Sequence, residues 1–292
     1  MSKCYLCPRM CGADRDAGER GVCLQGASAR VSRAALHAYE EPPISGKRGS
    51  GAVFFSGCSL RCVFCQNRDI SRGESDGTAL TPQELSAVLL RLQEEGAHNI
   101  NLVTPTHFAD KIAEALRLCR PQLSIPVVYN TSGYERVETL RSLEGLVDIY
   151  MPDFKYASED LAAKYSSAPD YPSVALKAIS EMFRQVGAYE YGEGGMLTRG
   201  LLIRHLCLPS CRADSMRVFD LLSDTVPPKE VLISLMSQYT PEFYDGDYKE
   251  LRRRITSFEY DSVLSHAEAL GFDGFMQGRA SASSAYTPDF KV

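Results

Sequence analysis

Seven of the ten cysteines in this 292-residue chain lie in two short groups, and their spacing suggests metal binding. The first group is Cys4, Cys7, Cys11 and Cys23, and the second is Cys58, Cys62 and Cys65. In a reducing cytosol, closely spaced thiolates are metal ligands more often than disulfide partners. The first residues contain no apolar stretch of the signal-peptide type. We therefore interpret both groups as metal sites of a cytoplasmic protein.

The second group resembles an iron–sulfur ligand set that lacks one ligand. Cys58, Cys62 and Cys65 directly follow the apolar run 51–55, which we interpret as a buried strand. Each iron of a [4Fe–4S] cluster is normally bound by one thiolate, so three cysteines leave one iron with open coordination positions. The amino and carboxylate groups of a methionine moiety can fill that open site. A structural zinc site would need a fourth ligand.

The first group has four thiolates, which is enough to complete one site. Zinc bound by four cysteines would be structural, whereas an auxiliary [4Fe–4S] cluster could relay electrons or hold a substrate. The spacing leaves both possibilities open. The surrounding residues 1–30 contain few apolar side chains, so we expect this segment to need a metal for order. Of the other cysteines, we expect Cys119 in the core and Cys207 and Cys211 beside the functional face.

Beyond residue 50, short apolar runs alternate with amphipathic helical stretches. The predicted strands are 51–55, 100–103, 125–129, 147–151, 200–204 and 231–235. The predicted helices cover about 82–95, 108–119, 135–143, 158–166, 172–187, 213–223 and 257–270, with a glycine-rich loop over 187–200. This alternation predicts parallel strands with right-handed crossovers. Six units are fewer than the eight of a complete barrel, so we predict an α/β fold, a partial (β/α)6 TIM-type barrel with a small Cys-rich N-terminal segment.

Composition limits the domain organisation and the partners. We predict a metal-binding segment over 1–30, a connector over 31–50 and a barrel domain over 51–292. The net charge is −5, which argues against a broad nucleic-acid surface. No apolar run approaches the ~18 residues of a membrane span, so we expect neither nucleic acid nor membrane as a partner. Functional side chains of such a barrel belong at the C-terminal ends of its strands.

Cys58-x3-Cys62-x2-Cys65, with Phe64 before the last cysteine, resembles the signature of radical S-adenosylmethionine (SAM) enzymes. The chain as a whole resembles uncharacterised homologues of the pyruvate formate-lyase activating enzyme, an activase of glycyl radical enzymes. The matching stretches are 101–107, 129–134, 151–156, 204–206, 208–209 and 236–239.

The resemblance implies a specific chemistry. A [4Fe–4S] cluster cleaves SAM reductively to a 5′-deoxyadenosyl radical, which abstracts hydrogen from a protein or peptide substrate. A glycyl radical enzyme is one candidate substrate. The resemblance also implies an electron donor of the flavodoxin or ferredoxin type.

The same resemblance assigns residues to SAM. Thr104 and Thr106 stand where activases contact the SAM amino group through Gly-Gly-Glu. Asp153 and Lys155, which share one strand face, would hold the zwitterionic end of SAM. The other predicted cofactor-binding residues are Phe64, Asn130, Arg204 and Gln238. Arg204 would pair with the SAM carboxylate, and a buried structural arginine is the alternative.

Two other functions remain open. Thr104 and Thr106 depart from the Gly-Gly-Glu of activases, and the N-terminal cysteine group precedes the triad. Both departures favour radical chemistry on a small molecule or another peptide. A non-catalytic iron–sulfur electron carrier, or a zinc-stabilised scaffold, would also need cysteines but would not turn over SAM. Formation of 5′-deoxyadenosine distinguishes these functions.

Overall fold

Strands and helices alternate along this computed structural model, which describes residues 3–73, 77–244 and 246–276. The strands are β1 (Ala29–His37), β2 (Ser50–Phe55), β3 (Thr78–Leu80), β4 (Ile100–Val103), β5 (Val127–Thr131), β6 (Ile149–Pro152), β7 (Glu190–Tyr191), β8 (Leu197–Leu206), β9 (Leu232–Met236) and β10 (Asp273–Met276). The α-helices are α1 (Pro42–Ser45), α2 (Arg68–Ser71), α3 (Pro82–Glu94), α4 (Ala109–Cys119), α5 (Val137–Arg141), α6 (Glu159–Ser166), α7 (Tyr171–Val186), α8 (Arg212–Thr225) and α9 (Ser257–Ala269). None of the described helices is long and apolar enough to cross a membrane.

The strands form one curved sheet. Its parallel part runs β2, β4, β5, β6, β8, β9 and β10. Strand β1 lies antiparallel against β2, and β3 pairs with the other edge of β1. The predicted partial TIM-type barrel is confirmed, although a seventh parallel strand, β10, follows the predicted six. Three of the four residues of β10 are exposed, so it lacks the apolar run that marked the others.

Helices cover the outer face of the barrel, and α3 shows why they begin where they do. The Glu84 backbone N–H donates to Thr81 Oγ1 at 3.2 Å, and the Glu84 carboxylate accepts from the Thr81 backbone N–H at 2.8 Å. This reciprocal cap satisfies two backbone donors that the first helical turn leaves unpaired. The apolar face of α3 then buries Leu85, Leu89 and Leu92. These leucines pack with β2, β4 and α4 into one of the apolar cores.

The predicted glycine-rich loop at 187–200 is shorter than expected. Residues Glu190–Tyr191 form β7, which pairs antiparallel with the first part of β8, and β8 begins at Leu197. The segment is therefore a small hairpin on the barrel. The two β7 residues are exposed, so burial periodicity does not mark them.

Residues 3–28 contain no helix or strand and are held to the barrel by individual contacts. The Arg136 guanidinium donates to the Tyr5 carbonyl oxygen, and Thr139 Oγ1 donates to that of Leu6 at 2.7 Å. Arg15 Nη1 donates to the His107 carbonyl oxygen at 2.7 Å. Because β1 follows directly and pairs with β2, the segment lies beside the loop that leaves β2.

Candidate active site

A cavity opens at the C-terminal ends of the parallel strands. It contains all three cysteines of the second group. The other predicted site residues that line it are Phe64, Thr104, Asn130, Asp153, Lys155, Arg204 and Gln238. These residues come from six separate stretches of sequence, so only the barrel brings them together.

The three cysteines lie on a tight loop after β2. The Cys65 backbone N–H donates to the Cys62 carbonyl oxygen at 3.1 Å, which closes a turn between them. Ser166 at the end of α6 places its Oγ 2.9 Å from Cys62 Sγ. Phe64 packs edge-on against Tyr156, Tyr165 and Tyr239, with ring centroids 6.3–6.5 Å apart. These contacts fix the loop on the barrel.

Burial disfavours free thiolates at two of the three cysteines, Cys58 and Cys65. Burial and the neighbouring Cys62 together raise the pKa of Cys58 to about 12. Burial and Cys62 likewise raise the pKa of Cys65, against the opposing effect of Lys155. A bound cation would supply the charge that makes deprotonation favourable. Among the described residues, no three His, Cys, Asp or Glu side chains are arranged as ligands of a single metal ion.

Asp153 links two cations at the cavity wall. Its Oδ2 accepts from Lys155 Nζ at 2.5 Å, and its Oδ1 accepts from Arg204 Nε at 3.0 Å. Burial alone would raise the Asp153 pKa, but the Arg204 and Lys155 charges outweigh it and lower the pKa. Asp153 is therefore ionised at neutral pH. Lys155 keeps its proton, because Asp153 more than offsets the effect of burial on the Lys155 pKa.

Arg204 already contacts three side chains of the protein, so only part of its guanidinium is available to bind a ligand carboxylate. Besides Asp153, it donates from Nη2 to Asn130 Oδ1 at 2.6 Å. Its Nη1 lies 3.5 Å from Glu40 Oε2. Each guanidinium nitrogen thus has a protein partner, although the nitrogens carry five N–H groups in all. The remaining N–H groups can still face a ligand in the cavity.

Glu40 is a cavity residue that the sequence analysis missed. It follows β1, and its Oε1 accepts from Asn101 Nδ2 at 2.9 Å. Burial raises the pKa of Glu40 to about 7, against the lowering effect of Arg204. His37 and Tyr39 line the cavity beside it. No local signal identifies these residues, because only the antiparallel pairing of β1 with β2 brings them to the cavity.

The two predicted threonines separate in the structure. Thr104 lines the cavity and adopts a left-handed φ of 59°, a conformation that favours glycine. Thr106 instead starts a 3-10 turn and is buried outside the cavity, where its Oγ1 donates to Glu135 Oε1 at 2.5 Å. Thr131 Oγ1 donates to the same carboxylate oxygen. Thr104 therefore stays a candidate SAM contact, whereas Thr106 supports the wall behind it.

The N-terminal cysteines lie beside one another. Cys4, Cys7 and Cys23 are buried and Cys11 is exposed. Burial raises the pKa of Cys7 to about 12, and the neighbouring Cys23 and Cys4 also raise it. Arg15 Nη2 donates to Cys23 Sγ at 3.1 Å and partly offsets the burial that raises the pKa of this thiol.

The remaining cysteines lie outside the cavity. Cys119 is buried in the core with α3 and α4, as expected. Cys207 and Cys211 are buried near the C-terminal end of β8, and Cys207 packs with the barrel core. Burial raises the pKa of both thiols, to about 12 and about 11. They are therefore protonated, unreactive side chains at neutral pH.

Residues 52–188 match the Radical SAM superfamily. Residues 52–188, just under half of the chain, are thus similar to a radical SAM domain. Proteins of this superfamily use a [4Fe–4S] cluster and SAM. The cavity of this chain fits both, because three adjacent thiols face charged side chains of both signs.

The fold of this chain recurs in solved structures. A radical SAM methyltransferase from Sphaerobacter thermophilus gives a TM-score of 0.53 at 16% identity, over 78% of this chain and 66% of that one. Streptococcus suis SuiB bound to the precursor peptide SuiA gives 0.52 at 14% identity, over 76% of this chain and 46% of that one. Likeness at these identities shows the fold alone.

A curated relative resembles almost the whole chain. This protein, an uncharacterized protein of Methanocaldococcus jannaschii, is 29% identical over 284 residues, which cover 94% of this chain and 76% of the relative. The similarity thus extends well beyond residues 52–188.

Proposed function

We propose that this protein is a radical SAM enzyme whose substrate is a protein or peptide. One observation carries the radical SAM chemistry: Cys58, Cys62 and Cys65 share a cavity with the buried charges of Asp153, Lys155 and Arg204. When bound, the [4Fe–4S] cluster would supply the electron that cleaves SAM to a 5′-deoxyadenosyl radical, which takes hydrogen from the substrate.

The residues of this chain would bind and orient SAM. The three thiolates would hold three irons and leave one iron for the SAM amino and carboxylate groups. Lys155 and the free N–H groups of Arg204 can bind the carboxylate, and Asp153 can accept from the N–H groups of the SAM amino group. The aromatic rings around Phe64 would keep water from the cluster side of the cavity.

The proposed substrate class follows from the resemblance to activases, with a glycyl radical enzyme as the first candidate. Structures with this fold act on different substrates: SuiB binds a precursor peptide, whereas the Sphaerobacter protein is a methyltransferase. Fold likeness therefore does not select a substrate. A small molecule remains the alternative. We propose a flavodoxin- or ferredoxin-type protein as the electron donor.

For the N-terminal cysteines we propose a second metal site. Support comes from four neighbouring thiols, three of them buried, and from the Arg15 guanidinium that donates to Cys23 Sγ. Zinc would make the site structural, and a second [4Fe–4S] cluster would make it a redox centre.

Metal analysis tests the two cysteine groups separately. After anaerobic reconstitution, iron, sulfide and zinc are measured in the native chain and in a triple Cys58, Cys62 and Cys65→Ala variant. About four irons lost in the variant, with zinc retained, would support one cluster and a structural site. About eight irons, with about four retained, would support two clusters. Iron that is unchanged in the variant would contradict the triad assignment.

SAM cleavage tests the activity itself. The reduced protein is incubated with SAM, and 5′-deoxyadenosine is quantified by liquid chromatography. We expect product from the native chain and from Cys119→Ala, a matched core cysteine variant, but none from Cys62→Ala. Absence of product from a native chain that carries its cluster would refute the proposed function. With a candidate partner added, a glycine-centred radical signal in electron paramagnetic resonance (EPR) would identify an activase.

A further inference from the structure

We infer that Ser166 is a positioning residue that sets the reduction potential of the cluster at Cys58, Cys62 and Cys65. The inference rests on the proposed function, because it needs a cluster there. Its basis is the 2.9 Å contact between Ser166 Oγ and Cys62 Sγ, both of which are buried. Cys65 also has a hydroxyl neighbour, Ser71, whose hydrogen bond opposes the effect of burial on the Cys65 pKa, but Ser166 is the serine that contacts Cys62.

The direction of the hydrogen bonds follows from the chemistry of the sulfur. An iron-bound thiolate has no proton, so Ser166 must donate to Cys62 Sγ. The Tyr156 hydroxyl lies 2.8 Å from Ser166 Oγ and can then donate to it. The result is a chain of two hydroxyl groups that ends on the cluster ligand, and each hydroxyl polarises the next.

The surroundings hold Ser166 against the cysteine loop. It is the last residue of α6, and Arg9 Nη2 donates to its carbonyl oxygen at 2.9 Å. One residue earlier, the Tyr165 carbonyl oxygen accepts from the Val63 backbone N–H at 2.9 Å. The end of α6 and the cysteine loop are therefore joined by main-chain contacts. These contacts hold the Ser166 backbone beside Cys62, and the Tyr156 hydroxyl at 2.8 Å favours the side-chain rotamer that contacts the sulfur.

A hydroxyl donor at this place changes the redox equilibrium in a known direction. Reduction adds negative charge to the cluster, and part of that charge resides on the cysteine sulfurs. A hydrogen bond to one sulfur stabilises the reduced form more than the oxidised form, and burial strengthens the effect. Ser166 therefore raises the reduction potential and makes the cluster easier to reduce.

The test is a redox titration followed by EPR on reconstituted protein. For Ser166→Ala we expect the ratio of reduced to oxidised cluster at a fixed potential to fall by up to about tenfold, a shift of about 59 mV for one electron. Iron and sulfide content should stay at the native value. Tyr156→Phe keeps Ser166 but removes the hydroxyl that donates to it. This variant should lower the reduction potential by less than Ser166→Ala does.

Two further variants separate the hydroxyl from general damage. Ser166→Thr keeps a hydroxyl and should retain most of the native potential. Ser167→Ala changes the next, exposed residue and should leave the potential unchanged. An unchanged potential in Ser166→Ala with a full cluster would overturn the inference and leave the proposed function intact. If Ser166→Ala cannot hold a cluster, an unchanged potential in Tyr156→Phe overturns it. A native chain without a reducible cluster would instead refute the proposed function.

Discussion

Arg9 and Ser59 connect the two cysteine groups directly: Arg9 Nε donates to the Ser59 carbonyl oxygen at 2.8 Å. Arg9 lies between Cys7 and Cys11, and Ser59 follows Cys58. The same guanidinium also donates to the carbonyl oxygens of Ser166 and Ser167, at 2.9 and 2.5 Å. One side chain from the N-terminal segment thus holds both the cysteine loop and the end of α6.

We predict that Arg9→Ala destabilises the protein by about 2 kcal/mol, because three carbonyl groups lose a charged donor. The free energy of unfolding is measured by urea denaturation under anaerobic conditions. Arg20→Ala, at an exposed arginine of the same segment, is the matched control and should cost less than about 0.5 kcal/mol. Equal effects of the two substitutions would show that the three contacts contribute nothing specific.

We predict that Asp153→Asn lowers the affinity for SAM by more than about tenfold, or about 1.4 kcal/mol. The substitution leaves Lys155 and Arg204 without the carboxylate that orients them. The affinity is measured by calorimetric titration of reconstituted protein. Asp224→Asn changes an exposed carboxylate and should bind SAM normally. Native affinity in Asp153→Asn would exclude Asp153 from the SAM site.

We predict that Thr104→Gly keeps the fold and stabilises it by up to about 1 kcal/mol. The left-handed φ of 59° is unfavourable for a β-branched residue, by about 1–2 kcal/mol. Glycine removes that strain but gains freedom in the unfolded chain, which offsets about 0.5–1 kcal/mol. Thermal unfolding measures the difference. A clear loss of stability would show that the Thr104 side chain makes a stabilising contact that exceeds its strain.

The same variant tests the predicted contact with SAM. Loss of the Thr104 hydroxyl should weaken SAM binding by about fivefold to tenfold if the hydroxyl contacts the ligand. Thr104→Ser retains the hydroxyl and is the control for this measurement. Unchanged affinity in Thr104→Gly would assign the residue to backbone geometry alone.

We predict that Glu135 makes stability fall as pH rises. Burial raises its folded pKa from 4.5 to about 7, although Thr106 and Thr131 lower it by hydrogen bonding. Between these values the unfolded chain releases its proton while the folded chain retains it. The free energy of unfolding therefore decreases by up to about 1.4 kcal/mol per pH unit over this range.

Glu135→Gln should make the slope shallower, because the amide does not titrate, while Glu40, whose pKa burial also raises to about 7, keeps its own contribution. Urea denaturation at about pH 5.5 and about pH 7.5 measures the slope for the native chain and the variant. Glu138→Gln, three residues away and exposed, is the control and should keep the native slope. Parallel slopes in the native chain and Glu135→Gln would show that another group causes the dependence.

The sequence predicted those parts of the site that local patterns determine. Apolar runs identified the strands, and parallel strands place Asp153 and Lys155 with the cysteine loop at one end of the barrel. The Thr81 and Glu84 cap likewise follows from spacing alone. These features depend on residues close together in the chain.

The parts that were missed depend on distant contacts. Glu40 reaches Arg204 across 164 positions, and Arg9 reaches Ser166 across 157. Hydrophobic periodicity does not predict contacts between residues so far apart in the sequence. The separation of Thr104 from Thr106 was missed for another reason, since it follows from a left-handed residue that is not glycine. The resemblance to Gly-Gly-Glu assigned both threonines by their position in the chain, and that position does not determine the backbone conformation at Thr104.

Gly57 adopts a φ of 83°, and a Cβ on it would overlap the Cys23 carbonyl oxygen and the Gln25 side chain. Any larger residue at this position would separate the N-terminal segment from the loop that carries Cys58. The glycine and the N-terminal segment therefore have to be inherited together. A lineage that lost the segment would lose the steric restriction at position 57 but would keep the preference for glycine that the left-handed φ imposes.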